Sequence, residues 1–169
     1  MPALGTASGL SGRQDVDEAY FSFSSYTYPE EVYRTTFARL DPDTLQLKSW
    51  YRIGLFTPGP MLVFAGRYLA CKSALAADLH IIDFGDGTPS LSASVDYSTH
   101  GVHLALDPER ARLYVLTKTL SGTEGWVSWI DAAFTKHGSW HLVNDLGFPA
   151  GSAPSGITYD RASGRVIIG

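Results

Sequence analysis

The stretch Val102–Val115, VHLALDPERARLYV, reads as a strand, a tight turn and a returning strand. An apolar run ends at Leu106, Asp107-Pro108 turns the chain, charged residues cross the tip, and Leu113-Tyr114-Val115 runs back. The same plan returns at Gly156–Ile168, GITYDRASGRVII. Leu106-Asp107 matches Tyr159-Asp160 and Arg112-Leu113 matches Arg165-Val166, both at an offset of 53 residues. An internal repeat of this kind speaks first about architecture.

Outward from that hairpin the chain divides into short strands. Tyr20–Tyr28, Val32–Leu40 and Leu45–Ile53 form a first group. Met61–Ala65, Tyr68–Ser73, Asp78–Phe84 and Ser90–Tyr97 form a second. Val102–Leu106, Leu113–Thr117, Trp126–Ile130 and Trp140–Leu146 form a third, and Gly156–Tyr159 with Arg165–Ile168 ends the chain. The Ala-rich segment at Ser73–Ala77 reads as a turn or a single helical turn. Residues 1–17 are rich in Gly, Ser and Ala without a clear period and read as a mobile leader.

Corresponding third strands close in the same way. FARLD ends at Asp41, HIIDF holds Asp83 and VSWID ends at Asp131, spacings of 42 and 48 residues. A short carboxylate at a strand end accepts backbone N–H groups of the turn that follows, so these aspartates read as structural. A four-strand unit of about 40–50 residues is the size of a β-propeller blade. One twisted sheet cannot bury both of its faces, whereas sheets packed face to face around an axis can.

The expected fold is therefore all-β: repeated four-stranded antiparallel blades forming an incomplete β-propeller. The blade remnants fall at 18–53, 60–97, 101–147 and 156–169. An immunoglobulin-like sandwich is the alternative. Closed propellers hold about 4–8 blades, so a fragment of a longer protein is the preferred reading, with self-association through exposed sheet edges also open.

ALDPERARLYV and RLDPDTLQL resemble blades of the YVTN/lactonase-like and NHL-like β-propeller families, across roughly Tyr20–Gly169. In lactonase-like propellers, the resemblance implies a site at the mouth of the central channel, with acidic and basic residues from several blades. No matching catalytic set is found here. YFSFSSYTYPEEVY at 20–33 resembles a blade edge of the prolyl oligopeptidase propeller. The sequence then departs from that family, and no Gly-x-Ser-x-Gly elbow occurs, so a serine peptidase reading is rejected for this chain. DFGDGT at Asp83–Thr88 resembles the signature of PKD-type immunoglobulin-like domains, although Ile82 stands where that family has Trp. The same Asp-Phe-Gly triplet lacks the loops a kinase would need.

Composition bounds the function. The 169 residues are 44% hydrophobic and 18% charged, an ordinary globular balance. The net charge of −4 and the lack of a Lys/Arg cluster argue against nucleic-acid binding. No run of about 18 apolar residues is present, so no membrane span is expected. Residues 1–19 lack the basic and apolar regions of a signal peptide, which points to a cytoplasmic location. Cys71 is the only cysteine and reads as a buried small hydrophobe.

Site residues follow from propeller geometry. The first strand of each blade lines the channel, and the loop entering it opens on a ring face. Asp96, His100, His103 and Ser155 would lie at that entrance and are the expected ligand contacts. No residue is assigned as catalytic. The pairs His100/His103 and His137/His141 lack a third ligand, and the odd spacing of the first pair puts its members on opposite strand faces. No metal or cofactor is assigned. The tryptophans at 50, 126, 129 and 140 read as packing between blades. The leading function is a noncatalytic binding or scaffold module contacting an unknown protein or small-molecule ligand through a ring face. The alternatives are a lactonase-like hydrolase of a small ester or lactone, and a PKD-type extracellular adhesion domain.

Overall fold

The computed structural model describes residues 6–13, 18–27, 32–54, 58–65, 67–73, 78–85, 88–97 and 99–169. Among them the secondary structure is entirely β. The strands are β1 (Thr6–Arg13), β2 (Glu18–Thr27), β3 (Val32–Leu40), β4 (Leu47–Gly54), β5 (Pro58–Phe64), β6 (Tyr68–Ser73), β7 (Asp78–Asp83) and β8 (Ser90–Asp96). They continue as β9 (His100–Asp107), β10 (Arg112–Lys118), β11 (Gly125–Ile130), β12 (Lys136–His141), β13 (Ile157–Asp160) and β14 (Arg165–Ile168). Consecutive strands pair antiparallel into sheets β1–β4, β5–β8 and β9–β12 and a final hairpin β13–β14. The leading strands pack in succession: β1 on β5, β5 on β9, and β9 on β13. This is an incomplete propeller of meandering blades. A sandwich of the immunoglobulin kind needs sheets whose strand order departs from the chain order, and none of these does.

The two faces of each strand explain the fold. Phe64, Ala70, Leu79 and Ile81 of the second sheet meet Leu104, Leu113, Val115 and Ile130 of the third. Their chain neighbours Val63, Leu69, Cys71 and Ile82 turn the other way, onto Tyr20 and Phe37 of the first sheet. The third sheet does the same, sending Ala105, Leu116 and Val127 toward Ile157 of the last hairpin. Continuous apolar runs such as Leu79–Ile82, apart from His80, follow from burial on both faces. Burial of each such side chain stabilises by about 1.5–3 kcal/mol.

The hairpins share one chemistry. Asp107 is fully buried, and its Oδ1 accepts the N–H groups of Glu109 and Arg110, each at 3.1 Å. Asp41 Oδ1 accepts from Asp43 and Thr44, Asp131 Oδ1 from Ala133 and Thr135, and Asp83 Oδ1 from Gly85. Asp160 Oδ1 accepts from Ala162 at 3.0 Å. The last turn residue is left-handed in several of these hairpins, with φ of 55° at Leu45, 49° at Ala111 and 65° at Gly164. Ala111 and Gly164 are related by the same 53-residue offset as the aspartates.

Three expectations change. Thr6–Arg13, read as part of a mobile leader, forms β1 and pairs with β2 from Thr6↔Ser24 to Arg13↔Glu18, which makes the first sheet four-stranded. Its Gly/Ser/Ala composition hides a strand whose pairing is supplied by a neighbour. The fourth strand of the third sheet is Lys136–His141 and not Trp140–Leu146. Asp131 closes its turn early, and the chain turns again at His141, whose N–H donates to Asp145 Oδ2 at 2.7 Å and whose carbonyl accepts from Asp145 N at 3.0 Å. Trp50 and Trp140 are 51% and 38% exposed, so they do not serve as packing between sheets. The reading of Ser73–Ala77 as a turn falls mostly outside the described residues.

Candidate ring-face site

The entrance to the third sheet is built by a bulge. His100 pairs with Lys118 and Gly101 with Thr117, but His103 pairs with Leu116, so Val102 is the extra residue. Lys118 and Leu116 are two apart on β10 and share a face. His100 and His103 therefore share a face as well, against the expectation from their odd spacing. Gly101 turns to the opposite side, where an added Cβ would lie 2.4 Å from Lys72 Cγ and 2.9 Å from the Ser73 carbonyl oxygen.

His103 is exposed, and its Nδ1 lies 3.0 Å from the Leu104 carbonyl oxygen. A carbonyl only accepts, so Nδ1 carries the proton and Nε2 is left as the ring's acceptor. Ser155 is exposed, and its N–H donates to the Gly169 carbonyl at 2.7 Å. His103 and Ser155 line one open depression of about 300 Å³, floored by Gly156, Ile157 and Thr158 and walled by Ile167. The other two expected residues stand apart from it. His100 opens β9 with its Nδ1 buried and unpartnered. Asp96 ends β8, opposite Asp78, and its charge acts on Lys72. Among the described residues, no hydrogen bond joins the His103 and Ser155 side chains. The pair offers a donor and an acceptor to a bound group without forming an activated nucleophile.

Lys72 and Tyr97 went unnoticed in the sequence. Lys72 is fully buried between the second and third sheets, and its Nζ donates to the Thr99 carbonyl at 2.7 Å. Burial pulls its pKa down to about 8, against the opposing pull of Asp78 and Asp96. Burial also pushes the Tyr97 phenol up to about 12. The available signal was a lysine inside the mostly apolar YLACKS strand. Cys71 beside it is buried, and desolvation raises its thiol to about 12. The other histidine pair is occupied locally. His137 Nε2 lies 2.7 Å from Asp131 Oδ2 and its ring stacks on Trp129 at 4.1 Å, while His141 Nδ1 accepts from Asn144 N at 3.1 Å.

No protein-family profile and no curated protein matches the chain. Solved structures do. The β-propeller domain of the Trilobed protease from Pyrococcus furiosus, described as having an open velcro topology, superposes with a TM-score of 0.55 at 8% identity. That match covers 83% of this chain and 44% of the other. The acylaminoacyl peptidase of Pyrococcus horikoshii superposes with a TM-score of 0.61 at 11% identity, covering 96% of this chain and 28% of the other. The chain thus spans less than half the length of either. At such identities the likeness is one of architecture, and it does not single out the YVTN/lactonase-like or NHL-like resemblance. With its meandering four-stranded sheets packed leading strand to leading strand, the chain has the fold of a partial β-propeller.

Proposed function

We propose that the chain is a noncatalytic binding module, part of a longer protein, that contacts a protein or small ligand through the ring face bearing His103 and Ser155. The observation that carries this reading is the depression that His103 shares with Ser155 and the start of β13. It gathers side chains from two successive sheets, which is where propellers concentrate function. In the Pyrococcus furiosus neighbour a propeller is one domain of a protease, an arrangement in keeping with a binding part that leaves chemistry to another.

The test is a fragment screen of the 169-residue chain by NMR. Ligands that shift the His103 and Ser155 resonances, and lose at least about ten-fold in affinity in His103→Ala, support the reading. Hits that map elsewhere and are indifferent to His103→Ala overturn this site. Turnover of model lactones or esters, abolished by a substitution at the same face, would replace it with the lactonase-like hydrolase.

A further inference from the structure

A second recess lies between the second and third sheets, away from the His103 depression. On the third sheet's inner face, apolar Val115 and Ile130 give way to polar residues toward one end. There Thr117 pairs with Trp126, one position past the pairing of Leu116 with Val127. Ser128, opposite Val115, continues the same face. Thr117, Trp126, Ser128, Lys136 and Ser139 line a recess of about 220 Å³. The connector from β8 to β9 closes it through Tyr97 and Thr99. Thr99 Oγ1 donates to the Tyr97 carbonyl at 2.9 Å.

Two observations point to a ligand. Tyr97 is 6% exposed, and its hydroxyl is buried with no hydrogen bond of normal geometry, the Ser128 side chain lying near enough to offset part of the rise that burial gives the phenol. A buried hydroxyl that completes no hydrogen bond is costly, and a bound acceptor would satisfy it. Independently, Lys136 Nζ sits 4.3 Å from the centre of the Tyr97 ring, while Lys72 Nζ approaches the same ring at 5.9 Å from the facing sheet. Lys72 is held by the Thr99 carbonyl and by the charges of Asp78 and Asp96. Lys136 is an exposed cation at the rim, and among the described residues none that lines the recess is acidic.

We propose that this recess binds a small organic carboxylate, with Lys136 and the Tyr97 hydroxyl holding the carboxylate and the Trp126 indole covering the apolar part. Hydroxyl donors, one cation and an aromatic wall match such an anion in charge and shape. The recess is smaller than the pockets of about 300–1,000 Å³ that hold drug-sized ligands. The assignment is independent of the ring-face reading, since it shares no residue with the His103 depression.

The experiment titrates the 169-residue chain with benzoate, and with benzamide as the neutral isostere, by calorimetry and by NMR of the Trp126 indole. Benzoate is expected to saturate and to bind at least about ten-fold more tightly than benzamide. Lys136→Gln and Tyr97→Phe should each weaken benzoate by about ten-fold. Neither is expected to unfold the protein, because Lys136 is exposed and the Tyr97 hydroxyl completes no bond. Saturation by benzoate that both variants leave unchanged overturns the site. Equal affinity for benzamide, or no saturation by benzoate at tens of millimolar, overturns the ligand class. Loss of ring-face binding in His103→Ala has no bearing on any of these results.

Discussion

Replacing Asp107 separates two contributions that the protein keeps on different oxygens. Oδ1 accepts the two turn N–H groups, and Oδ2 accepts the Arg110 guanidinium at 2.9 Å. Asparagine retains an acceptor for the turn but loses the ion pair; alanine loses both. The Arg110 side chain is half exposed, so the pair contributes no more than about 1 kcal/mol. Two backbone bonds to a buried carboxylate contribute about 1 kcal/mol each. Asp107→Asn should therefore cost about 0.5–1 kcal/mol and Asp107→Ala about 2–3 kcal/mol. Urea denaturation followed by circular dichroism reads the difference. With a slope of about 2 kcal/mol per molar, the alanine midpoint should fall by about 1–1.5 M. Equal losses in the two variants, or an alanine loss below about 0.5 kcal/mol, would refute the assignment of the carboxylate to the turn. The pH dependence has a definite sign. Burial alone would raise the Asp107 pKa, but the Arg110 side chain and the turn N–H groups outweigh it and hold the carboxyl below its ordinary value. Its contribution is thus complete above the unfolded value near pH 4 and is lost as pH falls through the folded one. Asp107→Ala should remove part of the acid destabilisation that the parent shows.

Ala111→Gly should stabilise by about 0.5–1 kcal/mol in the same denaturation assay, because Ala111 is held at a φ of 49° where its repeat partner is Gly164; a loss of stability would contradict that backbone. Ile81→Ala should cost about 2–5 kcal/mol, since Ile81 is fully buried in the core shared by the second and third sheets. Cys71 should resist a thiol reagent in the native state and react fully in denaturant, because it is buried and its thiol is raised to about 12. Rapid native labelling would show that the first and second sheets part far more readily than their packing implies.

The fold was legible because its signals are local. Asp107 and Asp160 announce their turns through neighbours two and three residues on, and the runs Leu79–Ile82 and Leu113–Leu116 carry enough apolar residues to cover both faces. β1 was not legible, because a Gly/Ser/Ala-rich strand gains its identity from pairing with β2 rather than from its own pattern. The bulge at Val102 was equally hidden, and one extra residue is enough to bring His100 and His103 onto one face. Of the four expected site residues, His103 and Ser155 share a depression because β9 and β13 adjoin, as the repeat implied. Asp96 and His100 lie elsewhere, since ring geometry fixes which strand ends are near one another but not where each side chain points. The Tyr97 recess draws on the β8–β9 connector and three strands of the next sheet, a convergence with no signature in linear spacing.

The sorting of adjacent side chains to opposite cores bears on how the chain is made. Each sheet is a meander of consecutive strands, and the main interfaces join sheets that follow one another in the chain. A sheet can close soon after its fourth strand leaves the ribosome, and the face it exposes is the surface on which the next sheet condenses. Synthesis and assembly then run in the same direction, with each completed blade acting as the template for its successor. A ribosome stalled once Asp96 has cleared the exit tunnel would carry the second sheet with Ala70, Leu79 and Ile81 still uncovered. Nascent chains arrested there should recruit a holdase chaperone, and those arrested beyond His141 should shed it as the third sheet docks.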